Sequence, residues 1–248
     1  MATLNSPIST RDPRAARGGG GVDPPIPGGG GGGRGGDPTP DPRERLRRAR
    51  LGLAVASISI TMLFVGFASA YIFREGLPSF DARTNTYVRD WLTASLPLRM
   101  LLVNTLLLVL SSLTMELARR QITRQAALAG VDSIPGVSLG RERHFPWLGA
   151  SVVLGLGFLA GQWMVWQELA RRGFYLATNP SSSFFYLLTA AHGAHLTGGL
   201  MAMTYAMALS LLGKPVERRR IVTDITAWYW HFMAVLWIAI FAMIWFLG

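Results

Sequence analysis

The chain has 248 residues, of which 50% are hydrophobic and only 15% are charged. A soluble protein of this size needs more charge to keep its surface hydrated, so the composition indicates a protein that resides in lipid. Because the sequence contains no cysteine, disulfides, thiolate zinc sites, iron–sulfur clusters and a dicopper thiolate centre are excluded in this chain.

Residues 1–42 predict a disordered tail. The stretch 18–36 is mostly glycine interrupted by three prolines, and it cannot bury enough apolar area to offset the entropy lost on ordering. The tail also lacks an apolar run that could form the core of a signal peptide. The remaining residues, 43–248, predict the membrane domain.

Five predominantly apolar segments are long enough to cross about 30 Å of hydrocarbon as helices. They lie at about residues 51–73, 98–118, 145–167, 182–212 and 224–247. Asn179-Pro180 interrupts the chain before the fourth segment, so its helix is expected to begin within Ser181–Ser183, where serines can cap it. The predicted fold is an all-α, polytopic transmembrane bundle of five spanning helices.

The basic residues predict the orientation of the chain. With the amino terminus inside, the cytoplasmic segments hold fourteen Lys and Arg residues: five in 43–50, five in 119–143 and four in 214–220. The outer segments then hold six, which are Arg74, Arg83, Arg89, Arg99, Arg171 and Arg172. This bias predicts a cytoplasmic amino terminus and an outer carboxyl terminus. The basic residues that give the chain its net charge of +10 flank the spans. This placement favours the membrane surface over nucleic acid as a partner.

Small residues recur at helical spacing in two of the spans. The fourth span has Ala190, Ala194, Gly198 and Ala202 every four residues, continued by Ala206, and the third has Gly157 and Gly161. Small side chains at this interval let two helix backbones approach closely in lipid, so both sets predict helix-packing surfaces.

A few polar residues lie within or at the edges of the spans, where each needs a partner, a hydrated cavity or a lipid headgroup. They are Asn104, Glu116, Gln162, His192, His195, Asp224, Tyr229 and His231. Glu116 is expected to pair with Arg119 and Arg120, and Asp224 with Arg220, because these residues lie within one helical turn. Asn104 and Gln162 are expected to bond neighbouring helices.

His192 and His195 are three residues apart, so their rings project from one face of a helix. They could bind a metal, relay protons, or make structural contacts with carbonyls, helices or phospholipid headgroups. No carboxylate or third histidine lies on the same turn, and we favour the structural interpretation. No nucleophile elbow, phosphate loop or paired-carboxylate site is present, so we expect no active site and no metal or other redox cofactor in this chain.

Several of these segments resemble subunit III of the haem–copper terminal oxidases, the cytochrome c oxidase subunit III family, in its short five-helix bacterial form. The similarity lies in Ser183-Phe-Phe-Tyr-Leu-Leu-Thr189 with His192-Gly-Ala-His195, in Trp228-Tyr-Trp-His231-Phe and in Phe158-Leu-Ala-Gly-Gln162. It extends over about residues 51–248. The sequence departs from the family at Ile60, Val165 and Ala234, where acidic residues are common, and this puts a carboxylate role in proton uptake in doubt.

The resemblance implies an accessory subunit of an oxidoreductase in the bacterial inner membrane, with a periplasmic carboxyl terminus. It would brace oxidase subunit I by direct contact, beside subunit II and small subunits, and would hold structural phospholipid. Haem and copper would lie in the partner subunits, and the complex would reduce dioxygen and translocate protons. Alternatives are a subunit of a quinol oxidase or of a complex associated with nitric oxide reductase. A more distant alternative is a stand-alone transporter or metal-dependent membrane enzyme.

The predicted orientation can be tested by cysteine labelling, because the natural chain has no cysteine. Asn85→Cys lies in a predicted outer loop and Ser133→Cys in a predicted cytoplasmic loop. In intact cells, a membrane-impermeant maleimide is expected to label only Asn85→Cys, whereas permeabilised cells should label both. Labelling of Ser133→Cys in intact cells would contradict the orientation.

Overall fold

A computed structural model describes residues 42–77, 79–81, 85–88, 97–128, 146–175 and 180–247 of the protein. It contains five α-helices, which are α1 (Pro42–Glu75), α2 (Leu98–Leu128), α3 (Trp147–Arg171), α4 (Pro180–Leu211) and α5 (Val216–Leu247). The predicted all-α class is thus confirmed. Residues 1–41, which are nearly all of the predicted tail, lie outside the described residues.

Four of these helices, α1, α2, α3 and α5, are long and apolar enough to cross a membrane. The remaining helix, α4, has 32 residues and no Asp, Glu, Lys or Arg. Its serines, threonines and two histidines interrupt the apolar side chains, so α4 has no stretch as apolar as those of the other four helices. The helix begins at Pro180, slightly earlier than predicted, because proline suits a first turn in which amide hydrogens have no helical partner.

A short antiparallel hairpin that the sequence did not predict lies between α1 and α2. Its strands are β1 (Ser79–Asp81) and β2 (Thr86–Val88), and Phe80 pairs with Tyr87 in the register. Asn85 precedes β2 with a φ of 52°, which asparagine tolerates better than most side chains. The hairpin places a small ordered element at the end of the bundle where α1 finishes.

Four of the helices form a ring in which each helix packs against two others. α2 packs against α3 and α5, and α4 also packs against α3 and α5. Among the described residues, α1 packs only on α4 and α5. Just 6% of its most apolar stretch is buried, compared with 39% for α3 and for α5. The ring is therefore the core of the fold, and α1 is a peripheral helix.

Trp230 of α5 is the side chain that joins the ring. It is fully buried, and its indole nitrogen donates to Ser111 Oγ of α2 at 3.1 Å. A Cβ at Gly155 of α3 would lie 3.0 Å from the indole, and one at Gly199 of α4 would lie 3.1 Å from it. The indole thus occupies the space that the two missing side chains leave, and contacts all three other helices of the ring.

The predicted packing surfaces have different surroundings. On α3, a Cβ at Gly161 would lie 2.1 Å from Asn104 Oδ1 of α2, whereas one at Gly157 would meet Leu107 at an ordinary 3.8 Å. On α4, the small residues face mostly away from the ring: Ala190 and Ala194 are exposed, Gly198 and Ala202 are half-buried, and only Ala206 is fully buried. The two sets therefore do not pack against each other.

Alanine substitution at the two glycines beside Trp230 is expected to destabilise the bundle. Gly155→Ala and Gly199→Ala should each lower the free energy of unfolding by about 1–3 kcal/mol, because the added methyl displaces the indole or Tyr229. Gly198→Ala is the matched control, since its Cβ would have no atom within 4 Å. Thermal unfolding in mild detergent, followed by circular dichroism, measures the difference. Equal losses at Gly198 and Gly199 would contradict this packing.

Candidate functional site

The polar residues of the bundle form contacts between helices, beginning with Asn104 and Gln162. Asn104 Nδ2 of α2 donates to Gln162 Oε1 of α3 at 3.3 Å, and both residues are buried. The two helices approach closely at this level because Gly161 has no side chain to displace Asn104. In hydrocarbon such an amide pair fixes the axial register of two helices, which apolar packing leaves free to slide.

Two tryptophans of α5 make similar bonds to α2. Trp230 bonds Ser111 as described, and Trp237 Nε1 donates to Thr105 Oγ1 at 3.0 Å. Ser111 Oγ donates in turn to the carbonyl oxygen of Ser151 in α3 at 2.9 Å. One chain of bonds thus connects α5, α2 and α3, and the indoles bury large apolar area while their N–H groups are satisfied.

His192 is fully buried at the junction of four helices. Its ring lies 5.1 Å from that of Trp237, 6.1 Å from Phe158 and 6.4 Å from Phe64, measured between centroids. Neither ring nitrogen has a hydrogen-bond partner among the described residues. The described side chains that surround this imidazole are therefore aromatic and come from three other helices.

His195 is more accessible, and its neutral ring has a defined tautomer. Its Nδ1 lies 2.7 Å from the carbonyl oxygen of Ala191, which can only accept, so Nδ1 carries the proton and, in the neutral ring, Nε2 is an acceptor. The hydroxyl of Tyr229 donates to the carbonyl oxygen of His195 at 3.0 Å. The two residues therefore connect α4 to α5, one turn away from the buried ring of His192.

A charged cluster joins three helices at the end of the bundle that we predict to be cytoplasmic. Asp224 of α5 is buried and lies 2.7 Å from Arg50 of α1 and 3.2 Å from Arg119 of α2. Glu116 lies 2.7 Å from Arg119 and 2.8 Å from Arg120, as their spacing predicted. The predicted local partner of Asp224, Arg220, is thus replaced by arginines from two other helices.

His231 extends this cluster toward the middle of α5. Its Nε2 lies 3.4 Å from Glu116 Oε2, and its Nδ1 lies 2.5 Å from Ser112 Oγ of α2. A carboxylate paired with arginines only accepts hydrogen bonds, so Nε2 is the donor and, in the neutral ring, Nδ1 accepts from the Ser112 hydroxyl. The hydrogen bonds of Ser112, His231 and Glu116, which we call the polar triad, therefore run in one direction when the ring is neutral.

The structure brings the predicted residues into several separate contacts rather than one pocket. Asn104 pairs with Gln162, His195 with Tyr229, and Asp224 and His231 belong to the charged cluster, whereas His192 lies among aromatic rings. Among the described residues, no group of three His, Asp or Glu side chains could hold a metal. Sequence reasoning missed Arg50 and Ser112, although a serine pair within an apolar run is a visible signal.

The three positions that depart from the resembled family all carry apolar side chains directed into the bundle. Val165 and Ala234 are buried, and Ile60 is half-buried against the core. An acid at any of them would need a partner inside the bundle. The side chains present therefore contribute packing, and none can carry a proton.

Comparison with known proteins gives a consistent result. A family model described as cytochrome c oxidase subunit III matches residues 44–248. The probable cytochrome c oxidase subunit 3 of Mycobacterium leprae is 33% identical over 101 residues, which are 41% of this chain and 50% of the relative. The cytochrome c oxidase subunit 3 of Synechocystis sp. is 29% identical over 187 residues, 75% of this chain and 70% of the relative.

A third relative, the cytochrome c oxidase subunit 3 of Bacillus sp. (strain PS3), is 31% identical over 108 residues, 41% of this chain and 49% of the relative. The chain therefore spans about half the length of the Mycobacterium and Bacillus relatives that it matches, and more of the Synechocystis protein.

Neutralising the buried acid of the charged cluster is expected to loosen α1. Asp224→Asn should lower the free energy of unfolding by about 2 kcal/mol, because two charge-assisted bonds to other helices are lost. Glu44→Gln is the control, since Glu44 pairs with Arg48 on an exposed surface and contributes little. Thermal unfolding in detergent compares them, and a double-mutant cycle with Arg50→Gln isolates the contact to α1. Equal losses for both acids would contradict a structural role for Asp224.

Proposed function

Because the chain belongs to the cytochrome c oxidase subunit III family, we propose that it is the non-redox subunit III of a haem–copper terminal oxidase in aerobic respiration. In this proposal it braces the catalytic subunit I by direct contact, lies near subunit II and small subunits, and holds structural phospholipid. Haem and copper are bound by the partner subunits. The relatives' names favour an oxidase of cytochrome c over a quinol oxidase.

One observation carries this proposal: several of the polar groups within the spans connect neighbouring helices. Asn104 bonds Gln162, Tyr229 bonds His195, and Asp224 bonds Arg50 and Arg119. Polar groups used in this way stabilise a scaffold and leave few groups for chemistry. A subunit that braces another subunit requires a rigid bundle, because a bundle whose helices move freely would not stabilise the conformation of its neighbour.

The outer surface supports the lipid-holding part of the proposal. α1 presents large exposed apolar side chains mainly along one face, including Leu51, Val55, Met62 and Phe73. Basic residues gather at the end that we predict to be cytoplasmic, where anionic headgroups of the inner leaflet would lie. The acceptor Nε2 of half-buried His195 adds a polar contact for a neighbouring helix or lipid.

The proposal places the amino terminus in the cytoplasm and the carboxyl terminus in the periplasm, as the basic residues favour. The aromatic surroundings of His192 support a structural role for that residue. Ile60, Val165 and Ala234 are apolar residues in the interior of the bundle. They support a contribution to the active lifetime of the oxidase that does not depend on carboxylates at these three positions.

The proposal is tested by tagging the chain and isolating it from its native membranes in mild detergent. We expect haem spectra and the copper of an oxidase in the isolated material. In the variant His192→Leu/His195→Leu, we expect less haem per tagged chain and a severalfold shorter active lifetime, because contacts between α1, α4 and α5 change. Thr197→Val, an exposed site on α4, is the control.

Two results would contradict the proposal. Isolation of the natural chain without any haem protein would remove the assignment to an oxidase. Stoichiometric metal bound by the purified chain alone would instead favour a metal-dependent membrane enzyme that uses the histidine pair.

A further inference from the structure

An open groove runs along α5 between α1 and α2. Both helices pack on α5, and among the described residues they do not pack on each other. Asp224 shows which side of α5 faces the groove, because it forms ion pairs with both Arg50 of α1 and Arg119 of α2. At about 100° per residue, the side chains four, seven, eleven and fourteen positions later lie within about 40° of Asp224 around the helix.

These side chains form the floor of the groove. They are Trp228, His231, Val235 and Ile238. Trp228 is 54% exposed, Val235 is 66% exposed and Ile238 is 45% exposed, so no described residue covers them fully. The pairs of Asp224 with Arg50 and Arg119 close the groove at one end. The groove is therefore an apolar channel that is closed at one end by Asp224, Arg50 and Arg119, which we call the charged stop.

The polar triad lies in this channel below the charged stop. His231 follows Asp224 by seven positions, which places it about 10 Å further along the helix axis. No charged residue follows Asp224 in α5, so His231 lies within the apolar stretch. Its side chain is nevertheless 33% exposed, and that of Glu116 is 21% exposed. Apolar floor residues can face lipid without cost, but partly exposed polar groups at this depth require a partner.

The direction of hydrogen bonding in the triad defines the chemistry of that partner. Glu116 accepts from Arg119, Arg120 and His231, so its lone pairs are used. In the neutral triad the Ser112 hydroxyl donates its hydrogen to His231, which leaves the lone pairs of Ser112 Oγ as the open position. The matching group is an N–H or O–H donor that reaches half-buried Ser112.

A transmembrane helix fits this position better than a lipid does. Headgroups remain near the basic residues, whereas Ser112 lies seven positions, or about 10 Å, along α2 from Arg119 of the charged stop. A lipid chain at the depth of Ser112 has no donor. A helix in the channel can place a hydroxyl, amide or indole donor there while its apolar residues pack on Trp228, Val235 and Ile238.

We propose that the groove between α1 and α2 is the docking site for one transmembrane helix of another oxidase subunit, which donates a hydrogen bond to Ser112. This inference rests on the proposed function, because it requires that the chain assembles with other oxidase subunits. It assigns to the polar triad the role of fixing the depth and rotation of the partner helix.

Site-specific photo-crosslinking within the intact oxidase tests this assignment. A benzophenone amino acid replaces Val235 in the groove or, as a matched control, Val153 on the outer face of α3, and the two positions are 66% and 67% exposed. After illumination, the tagged chain is isolated and its adducts are identified by mass spectrometry. We expect an adduct from Val235 to another subunit of the same oxidase, severalfold more abundant than any from Val153.

The hydrogen bond is tested with the same probe at Val235. Ser112→Ala should reduce the subunit adduct severalfold, whereas Ser112→Thr, which keeps the hydroxyl, should restore it. An equal reduction by both variants, or by neither, would overturn the donor contact. Circular dichroism of each variant verifies that the bundle is folded.

The outcomes separate this inference from the proposed function. Material that contains no haem protein contradicts the assignment to an oxidase itself. Material that contains haem, in which Val235 crosslinks only to lipid, only to a second copy of this chain, or to no oxidase subunit, overturns the docking site and leaves the assignment intact.

Discussion

The hydrocarbon core of a membrane offers no hydrogen-bond partners, and this constraint governs most of what is specific in the structure. Backbone groups are satisfied within each helix, so the side chains decide how the helices fit together. Apolar side chains pack almost equally well against lipid and against protein, and they leave helices free to slide and rotate. The polar groups remove that freedom, because each has only a few positions where it is satisfied.

Trp230 shows how this constraint acts together with close packing. Its indole ring occupies the space left by Gly155 and Gly199, while its N–H group bonds Ser111. A shift of α5 along its axis would break the hydrogen bond and force the ring against a helix backbone. Trp237, two turns further along α5, makes a second such hydrogen bond to Thr105, so α5 has two fixed points on α2.

The peripheral helix is held differently. α1 is attached by the ion pair of Arg50 with Asp224 at one end, by Phe64 beside the two histidine rings of α4 further along, and by buried Tyr71 against Phe184 of α4 near the other end. These contacts leave most of the 34-residue helix exposed, as the proposed assembly with other subunits would require. The same arrangement leaves the channel beside α5 open, with polar groups that the described residues do not fully satisfy.

The sequence by itself determined the class of the protein, because the cost of placing charges in hydrocarbon confines them to the ends of spans. It also predicted the pairing of Glu116 with Arg119 and Arg120, since residues three and four apart on a helix are always neighbours. The polar residues of the candidate site could be selected from the sequence for the same reason: each interrupts an apolar run.

Only the tertiary structure decided which groups meet across helices. Asp224 bonds Arg50 from 174 positions away, and Trp230 bonds Ser111 from 119 positions away. The small residues of α4 satisfy the spacing of a packing surface, yet Ala190 and Ala194 face outward. Spacing along a helix fixes which residues share a face, but the direction of that face depends on how the other helices pack, and no local pattern contains this information.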